Sequence, residues 1–387
     1  MSGESGARYG GLDALRGMVI ALMMFVNCAG HDPAFPGWVA HRGWNEGRQG
    51  LGLADYVFPL FIFIMGTGVR VSYLRGLARG DGAWAWLKRA AMRAGVLYGC
   101  GVVLKCAAVG YEGRIGWSVL VHWDILPMLA WSGLVTALLQ WAPGWGRGAF
   151  VLGAVVWKWY LLGVMGVEGA AGHVWTPEVN AQRELIGKLG WIGVGLTQGM
   201  GAAAVCVLGA EAGAVMARVK EVGGIARASA WMAGVGAAMA AASYIWHRVG
   251  MPYSKDFFTA SYVVLMAGVG LMGLGACWWV VDGLGAAKLG ALRVLGRHAL
   301  GVYVTAELLW RCVLTRWKVG TPDGGASVAI TSAKAWASAW MGPTLGAWVT
   351  VGVYVIAWFA FAWWLEGRGR QQSSKQQSSK QQSSKSE

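Results

Sequence analysis

The chain has 387 residues, of which 56% are hydrophobic and only 13% are charged. This balance is typical of a protein that is solvated mostly by lipid, and a soluble domain with so few charges would aggregate. The formal net charge is +14. Because the basic residues flank apolar segments, their distribution indicates membrane topology and excludes nucleic acid as the expected partner.

Apolar segments of roughly 18–25 residues recur along the chain, and each could cross about 30 Å of hydrocarbon as a helix. They predict an all-α polytopic membrane protein, a bundle of about ten transmembrane helices. The predicted spans are residues 12–30, 51–74, 90–110, 119–141, 148–166, 190–215, 228–247, 259–281, 297–315 and 344–365. No small-residue cleavage site follows the first span, so we expect it to be retained.

Basic residues concentrate in alternate connections between these spans. Because such connections face the cytoplasm, we expect both termini to be cytoplasmic and the loop at residues 31–50 to face outward. Residues 1–366 are predicted to form the transmembrane domain. Residues 367–387 contain three Gln-Gln-Ser-Ser-Lys repeats and are predicted to be a disordered cytoplasmic tail, natural or engineered. The six cysteines lack metal-ligand spacing, so no metal is expected.

The first span carries Asp13, Arg16 and Asn27 on one helical stripe. Ionisable groups inside membrane helices are costly and usually face a bundle interior or a wet cavity, which makes them candidates for function. Arg16 and Asn27 are three turns apart, roughly 16 Å along the helix axis. In the simpler alternative, Asp13 and Arg16 pair at i, i+3 and Asn27 bonds to a neighbouring helix.

The outward loop after this span contains His41, Trp44 and Asn45, and the second span opens with Asp55. Histidine titrates near neutral pH and can accept a proton from an amine or hydroxyl nucleophile. On residue chemistry alone, a loop histidine is more often a surface residue, so its assignment depends on the surrounding pattern. Asp124 lies near the start of the fourth span, and Lys255 precedes the eighth.

Several motifs form that pattern. They are Leu-Asp-Ala-Leu-Arg-Gly at residues 12–17, Phe-Val-Asn at 25–27, His-Arg-Gly-Trp-Asn at 41–45, and the segments at 53–59 and 61–66, with weaker matches at 252–262 and 299–308. Together they resemble the transmembrane N-acetyltransferases typified by heparan-alpha-glucosaminide N-acetyltransferase. The resemblance covers nearly the whole transmembrane body and implies a bacterial relative without the large luminal domain of the animal enzyme.

The resemblance implies that residues 1–366 are an acyltransferase domain. It further implies that acetyl-CoA arrives from the cytoplasm and that an amino sugar or glycan accepts the acetyl group on the outer face. His41 is then catalytic, as general base or acetyl carrier, and Asn27 assists. The chain is also similar to the broad membrane acyltransferase-3 group, which pairs an Arg with a His eleven positions later on the first helix. Asn27 stands at that second place, so we expect His41 to supply the base and Asn27 to donate a hydrogen bond to the developing oxyanion.

The predicted residues for binding acetyl-CoA or the acceptor are Asp13, Arg16, Trp44, Asn45, Asp55, Arg89, Arg93, Asp124 and Lys255. Arg89 and Arg93 are the candidates for the CoA phosphates, although ordinary cytoplasmic anchoring explains them equally well. The family's Arg-rich motif near the fourth helix is not clear here, and His298 stands where the family commonly has Asn. These departures leave the choice of acceptor in doubt.

Two other functions stay open. One is an O-acetyltransferase of an envelope glycan, and the other is a secondary transporter or flippase of a sugar-linked substrate. A transporter of this kind should show an inverted internal repeat, and the sequence shows no convincing one. We expect the protein to lie in a bacterial inner (cytoplasmic) membrane, with lipid as a partner. A homodimer is one assembly that the chain could form.

Overall fold

The computed structural model describes residues 9–30, 32–42, 51–110, 116–165, 179–222, 224–286 and 289–383. The chain divides into two compact units. The first unit comprises Met1–Leu12 and Pro36–Gly285, and the second comprises Asp13–Phe35 and Ala286–Glu387. Within the described residues, the regular structure is helical except for one two-stranded hairpin in the second unit.

The first unit is built from long helices and a few short ones. In chain order these are the start of α1 (Gly10–Ala29), α2 (Leu53–Ala78), α3 (Ala83–Val109), α4 (Trp117–Leu120), α5 (Ile125–Leu138), α6 (Gly144–Trp159), α7 (Ala181–Leu189), α8 (Trp191–Val194), α9 (Met200–Val222), α10 (Ile225–Val249) and α11 (Ala260–Trp278). A 3₁₀ turn (Leu139–Trp141) extends α5. Turns of π-helix extend α6 (Tyr160–Val164) and α11 (Trp279–Gly283) and join α8 to α9 (Gly195–Gly199).

The second unit contains the rest of α1 and the C-terminal helices. These are α12 (Gly290–Arg297), α13 (Ala299–Leu309) with its π turn (Trp310–Leu314), α14 (Ala329–Met341) and α15 (Pro343–Ser383). Strands β1 (Lys318–Gly320) and β2 (Ala326–Val328) pair antiparallel between α13 and α14. Glycine brings α1 and α12 together, because a Cβ at Gly17 would lie 1.9 Å from the carbonyl oxygen of Leu292.

Eight helical segments among the described residues are long and apolar enough to cross a membrane: Gly10–Ala29, Leu53–Ala78, Ala83–Val109, Gly144–Val164, Trp191–Val219, Ile225–Val249, Ala260–Gly283 and Pro343–Gly369. The prediction of an all-α polytopic membrane protein is confirmed. The predicted number of about ten spans is not reached in this part of the chain. The fourth predicted span holds only the shorter apolar helix Ile125–Trp141, because Asp124 caps a helix that begins at Ile125. The ninth holds α13, which with its π turn ends at Leu314.

The backbone of the last helix is helical through Ser383. Gln and Lys are good helix formers, Ser is intermediate, and the repeat contains neither Gly nor Pro. The division into a transmembrane domain at residues 1–366 and a disordered tail at 367–387 stays a prediction.

Glycines allow α2 and α9 to approach closely in the first unit. A Cβ at Gly209 would lie 2.0 Å from the carbonyl oxygen of Phe63, and a Cβ at Gly66 would lie 1.8 Å from that of Cys206. The hydroxyl of Thr67 donates a hydrogen bond to the carbonyl oxygen of Gly209 at 3.0 Å. In lipid, such close packing and interhelical hydrogen bonds replace the hydrophobic effect as the source of helix association.

We therefore expect Gly209→Ala to lower the free energy of unfolding by about 1–3 kcal/mol, because the new methyl group must push α2 and α9 apart. Thermal unfolding of the detergent-purified protein measures this. Gly234→Ala is the matched control, since nothing lies within 4 Å of a Cβ at Gly234 on α10. Equal unfolding temperatures for the two variants would contradict this account of the interface.

Candidate active site

His41 and Asp55 form a hydrogen-bonded pair in the first unit. Nδ1 of His41 lies 2.8 Å from Oδ1 of Asp55. The side chain of Asp55 is 1% exposed, whereas that of His41 is 48% exposed. Because a carboxylate can only accept, the contact assigns the proton to Nδ1. Nε2 of the neutral imidazole then carries the lone pair and can act as a base or nucleophile.

The first turn of α2 fixes the Asp55 carboxylate. Its Oδ2 accepts hydrogen bonds from the backbone N–H of Gly52 at 2.9 Å and of Arg42 at 3.2 Å. Both donors belong to the chain that leads into the helix, and a negative charge is favourable at a helix N-terminus. Among the described residues, the carboxylate thus accepts from two backbone donors and from the imidazole of His41.

The segment before His41 is bound to the same helix terminus. The backbone N–H of Leu53 donates to the carbonyl oxygen of Trp38 at 2.6 Å, which supplies an acceptor that the first helical turn lacks internally. A Cβ at Gly52 would lie 1.7 Å from the carbonyl oxygen of Ala40. Only glycine therefore allows this close approach, which places His41 beside Asp55.

A third charged group, Lys255, joins the pair from the connection between α10 and α11. Its Nζ lies 3.3 Å from Nδ1 of His41. Burial lowers the pKa of Lys255, and the negative charges of Asp55, Asp256 and Asp124 partly oppose that shift. The geometry thus brings together three predicted site residues, His41, Asp55 and Lys255.

Asp124 contributes to this region by its charge. Its side chain caps α5 by accepting the backbone N–H of Ile125 at 2.8 Å. This hydrogen bond is the ordinary N-terminal cap of a helix and is sufficient to explain the residue type. Its electrostatic effect on Lys255 is the observation that connects it to His41 and Asp55. Its binding of a substrate stays a prediction.

Asn27 lies in the second unit and has a polar partner there. Its Nδ2 donates to Oε1 of Glu307 at 3.3 Å, and Oε2 of Glu307 accepts from Nε of Arg311 at 2.9 Å. Glu307 and Arg311 pair at i, i+4 on one helix, and the contact with Asn27 extends this pair to α1. This contact is the interhelical bond of the simpler alternative for Asn27, and the catalytic role of Asn27 stays a prediction.

The residues predicted to bind CoA also have nearby hydrogen-bond or ion-pair partners within their own units. In the second unit, Arg16 donates to Asp13 at 2.9 Å, as the i, i+3 alternative expects. In the first unit, Arg89 pairs with Asp81, and Arg93 donates to Oγ of Ser72 at 3.3 Å. Their roles in binding CoA stay predictions. Trp44 and Asn45 lie outside the described residues.

One further residue supports the site. The hydroxyl of Tyr262, on α11, donates to the backbone carbonyl oxygen of Asp55 at 2.5 Å. Tyr262 is fully buried, so its hydroxyl needs such a partner. The sequence placed Tyr262 within a weak family motif without giving it a role. No periodicity could have indicated one, because the partner atom lies 207 residues away.

The His41–Asp55 arrangement can assist a nucleophile. The buried carboxylate holds the imidazole in one tautomer and orientation, and it stabilises the imidazolium that forms when Nε2 takes a proton. Among the described residues, no group of three or more His, Cys, Asp or Glu side chains could hold a metal ion. The chemistry that these side chains support is proton transfer or acyl transfer at an exposed imidazole.

Comparison with known proteins identifies the family. The model of the catalytic region of heparan-alpha-glucosaminide N-acetyltransferase matches residues 8–206. The chain belongs to this family. Within it, heparan-alpha-glucosaminide N-acetyltransferase of Mus musculus is 32% identical over 135 residues, which are 34% of this chain and 19% of the mouse protein. The Homo sapiens protein is 31% identical over 129 residues, 33% of this chain and 18% of the human protein.

The matched region of the heparan-alpha-glucosaminide N-acetyltransferase family model includes both His41 and Asp55. Lys255 lies C-terminal to it and reaches the pair only through the tertiary fold. The chain spans about a fifth of the length of these two relatives. The suspected family is therefore confirmed, and it is the family of an acetyltransferase.

We expect Asp55→Asn to lower kcat by about 10²–10⁴-fold, because an amide cannot accept from His41, Gly52 and Arg42 as a carboxylate does, nor stabilise an imidazolium. Initial rates of acetyl transfer by the purified protein measure the loss. Asp323→Asn, in the exposed β1–β2 turn, is the matched control. A wild-type kcat for Asp55→Asn would exclude the proposed role of Asp55 in orienting and stabilising the His41 imidazole.

Proposed function

We propose that this chain is a membrane acetyltransferase that moves the acetyl group of acetyl-CoA to the amine of a glucosamine-type sugar. Family membership supports the reaction class, since the matched relatives are named for N-acetyl transfer to a heparan glucosaminide. The single observation that carries the assignment of the base is the 2.8 Å contact from His41 Nδ1 to the buried carboxylate of Asp55.

In the direct route, the amine nitrogen of the sugar attacks the thioester carbonyl while Nε2 of His41 accepts an amine proton. The new C–N bond forms, the C–S bond breaks, and the imidazolium returns its proton to the departing thiolate. Asp55 stays ionised throughout and balances the charge on the ring. General base catalysis of this kind contributes typically 10²–10⁴-fold, or about 3–5 kcal/mol.

In the carrier route, Nε2 of His41 attacks the thioester itself and the thiolate leaves first. The sugar amine then attacks the acetyl carbon, the bond from that carbon to Nε2 breaks, and the freed imidazole takes the amine proton and passes it to the CoA thiolate. His41 and Asp55 serve both routes, because each route needs the lone pair on Nε2 and a carboxylate that accepts a hydrogen bond from Nδ1. Initial-rate kinetics distinguishes them: parallel double-reciprocal plots indicate the carrier route, and intersecting plots indicate direct transfer.

We further propose that acetyl-CoA binds from the cytoplasm and that the acceptor lies on the outer face of a bacterial inner membrane. The basic connections between spans support the cytoplasmic assignment of that side. The eight helical segments that are long enough to cross a bilayer support the membrane location. An amide product would distinguish this function from O-acetylation of a glycan, which gives an ester.

We expect His41→Ala to lower acetyl transfer by about 10²–10⁴-fold, because no other group replaces the half-exposed imidazole as base or carrier. Product formation from acetyl-CoA and glucosamine, quantified by mass spectrometry, is the measurement. His298→Gln serves as the histidine control, because His298 contacts Glu366 in the second unit. Robust transfer by His41→Ala would exclude His41 as base and as carrier.

A further inference from the structure

The ammonium group of Lys255 carries three N–H hydrogen-bond donors. Among the described residues, the only polar atom within hydrogen-bond distance of its Nζ is Nδ1 of His41, at 3.3 Å. The shorter contact with Asp55 requires the proton to be on Nδ1, which donates a hydrogen bond to the carboxylate, so Nδ1 has no lone pair left for Lys255. The three N–H groups of Lys255 therefore stand beside the base without an acceptor from the described protein.

The loop that carries Lys255, residues 250–259, is tightly fixed on its N-terminal side. The ring of Tyr253 stacks on His247 with 4.2 Å between centroids, and its backbone N–H donates to Nδ1 of His247 at 3.0 Å. The Tyr253 hydroxyl lies 2.8 Å from Oγ of Ser243, which is fully buried. These contacts attach the loop to α10 two residues before Lys255.

The C-terminal side of the loop is fixed at the cost of backbone strain. Phe258 has a φ of 47°, a region that a bulky side chain rarely adopts, and is 2% exposed. Its ring packs edge-to-face on Phe58 of α2. Gln198 donates to the carbonyl oxygen of Asp256 at 2.6 Å. Such strain persists where the surroundings over-determine it and concentrates at functional sites.

Three carboxylates among the described residues act on Lys255 by their charge: Asp55 on α2, Asp124 before α5 and Asp256 on its own loop. The imidazole of His41 lies beside them. Burial nevertheless lowers the pKa of Lys255 from the ordinary value of a lysine. The ammonium group of Lys255 therefore loses its proton at a lower pH than an exposed lysine would.

We infer that Lys255 is a catalytic residue whose ammonium group stabilises the negative charge that develops on the thioester during acetyl transfer. A donor that lies beside the base, and whose N–H groups no described residue accepts, suits charge that exists only in the transition state. This role goes beyond the binding of acetyl-CoA predicted for Lys255, and it rests on the proposed function.

The step balances without any added reactant. As the nucleophile bonds to the thioester carbon, the C=O electron pair moves to oxygen, and the ammonium hydrogen-bonds to the anion. The electron pair on the oxygen then re-forms the C=O bond. The C–S bond breaks at the same time, and its electron pair leaves with the thiolate. Lys255 keeps its proton throughout, while proton transfer to and from Nε2 belongs to His41.

Lys255→Met tests this inference by separating kcat from KM. We expect kcat to fall about 10²–10³-fold, the usual loss for one such donor, with little change in the KM for acetyl-CoA. A rise in KM at wild-type kcat would overturn the inference in favour of simple substrate binding. Lys188→Met on α7 is the matched control, since Lys188 is exposed and pairs with Glu184.

Lys255→Arg provides a second readout that a purely structural role would not change, and it applies even if Lys255→Met fails to fold. Wild-type activity should fall as pH rises through the lowered pKa of Lys255. A guanidinium stays charged, so Lys255→Arg should move that alkaline loss to higher pH. An unmoved alkaline limb overturns this inference alone. Absence of acetyl transfer by wild-type protein overturns the proposed function as well.

Discussion

The buried carboxylate of Asp55 is the group on which the active-site structure depends. It lies in the first turn of α2, where backbone N–H groups lack helical acceptors and negative charge is favourable. It accepts from Gly52, Arg42 and His41, and is 1% exposed. An uncompensated buried charge would be costly. The helix terminus and the imidazole together supply the compensation, and in return the carboxylate orients the imidazole of His41.

The connection at residues 250–259 contributes a different constraint. This loop is restricted on both sides of Lys255, by the stack of Tyr253 on His247 and by the strained backbone at Phe258. A flexible lysine on a mobile loop would lose conformational entropy when it met the reacting group. Here that entropy is lost during folding, so the ammonium is preorganised before the substrate binds.

Membrane solvation explains the remaining architecture of each unit. Water is not available to drive helices together, so close contact depends on glycine at positions such as Gly209 and Gly17. Polar side chains also pair between helices, as Asn27 does with Glu307 in the second unit. Such pairs satisfy groups that lipid cannot, which is why a polar residue in a span is not by itself a catalytic one.

The sequence alone determined the fold class, because long apolar segments can satisfy their backbone groups in lipid only as helices. Its motifs also indicated the family and placed His41 and Asp55 within the site. The number of spans could not be counted reliably, since hydropathy does not show that α5 begins only after its Asp124 cap. The sequence did not show which residues of the site contact one another either. His41 and Lys255 are 214 residues apart, and the packing of α11 against α2 in the first unit brings the lysine to the histidine. Periodicity reports which face of a helix is apolar, whereas a contact between distant loops is decided by how the helices pack.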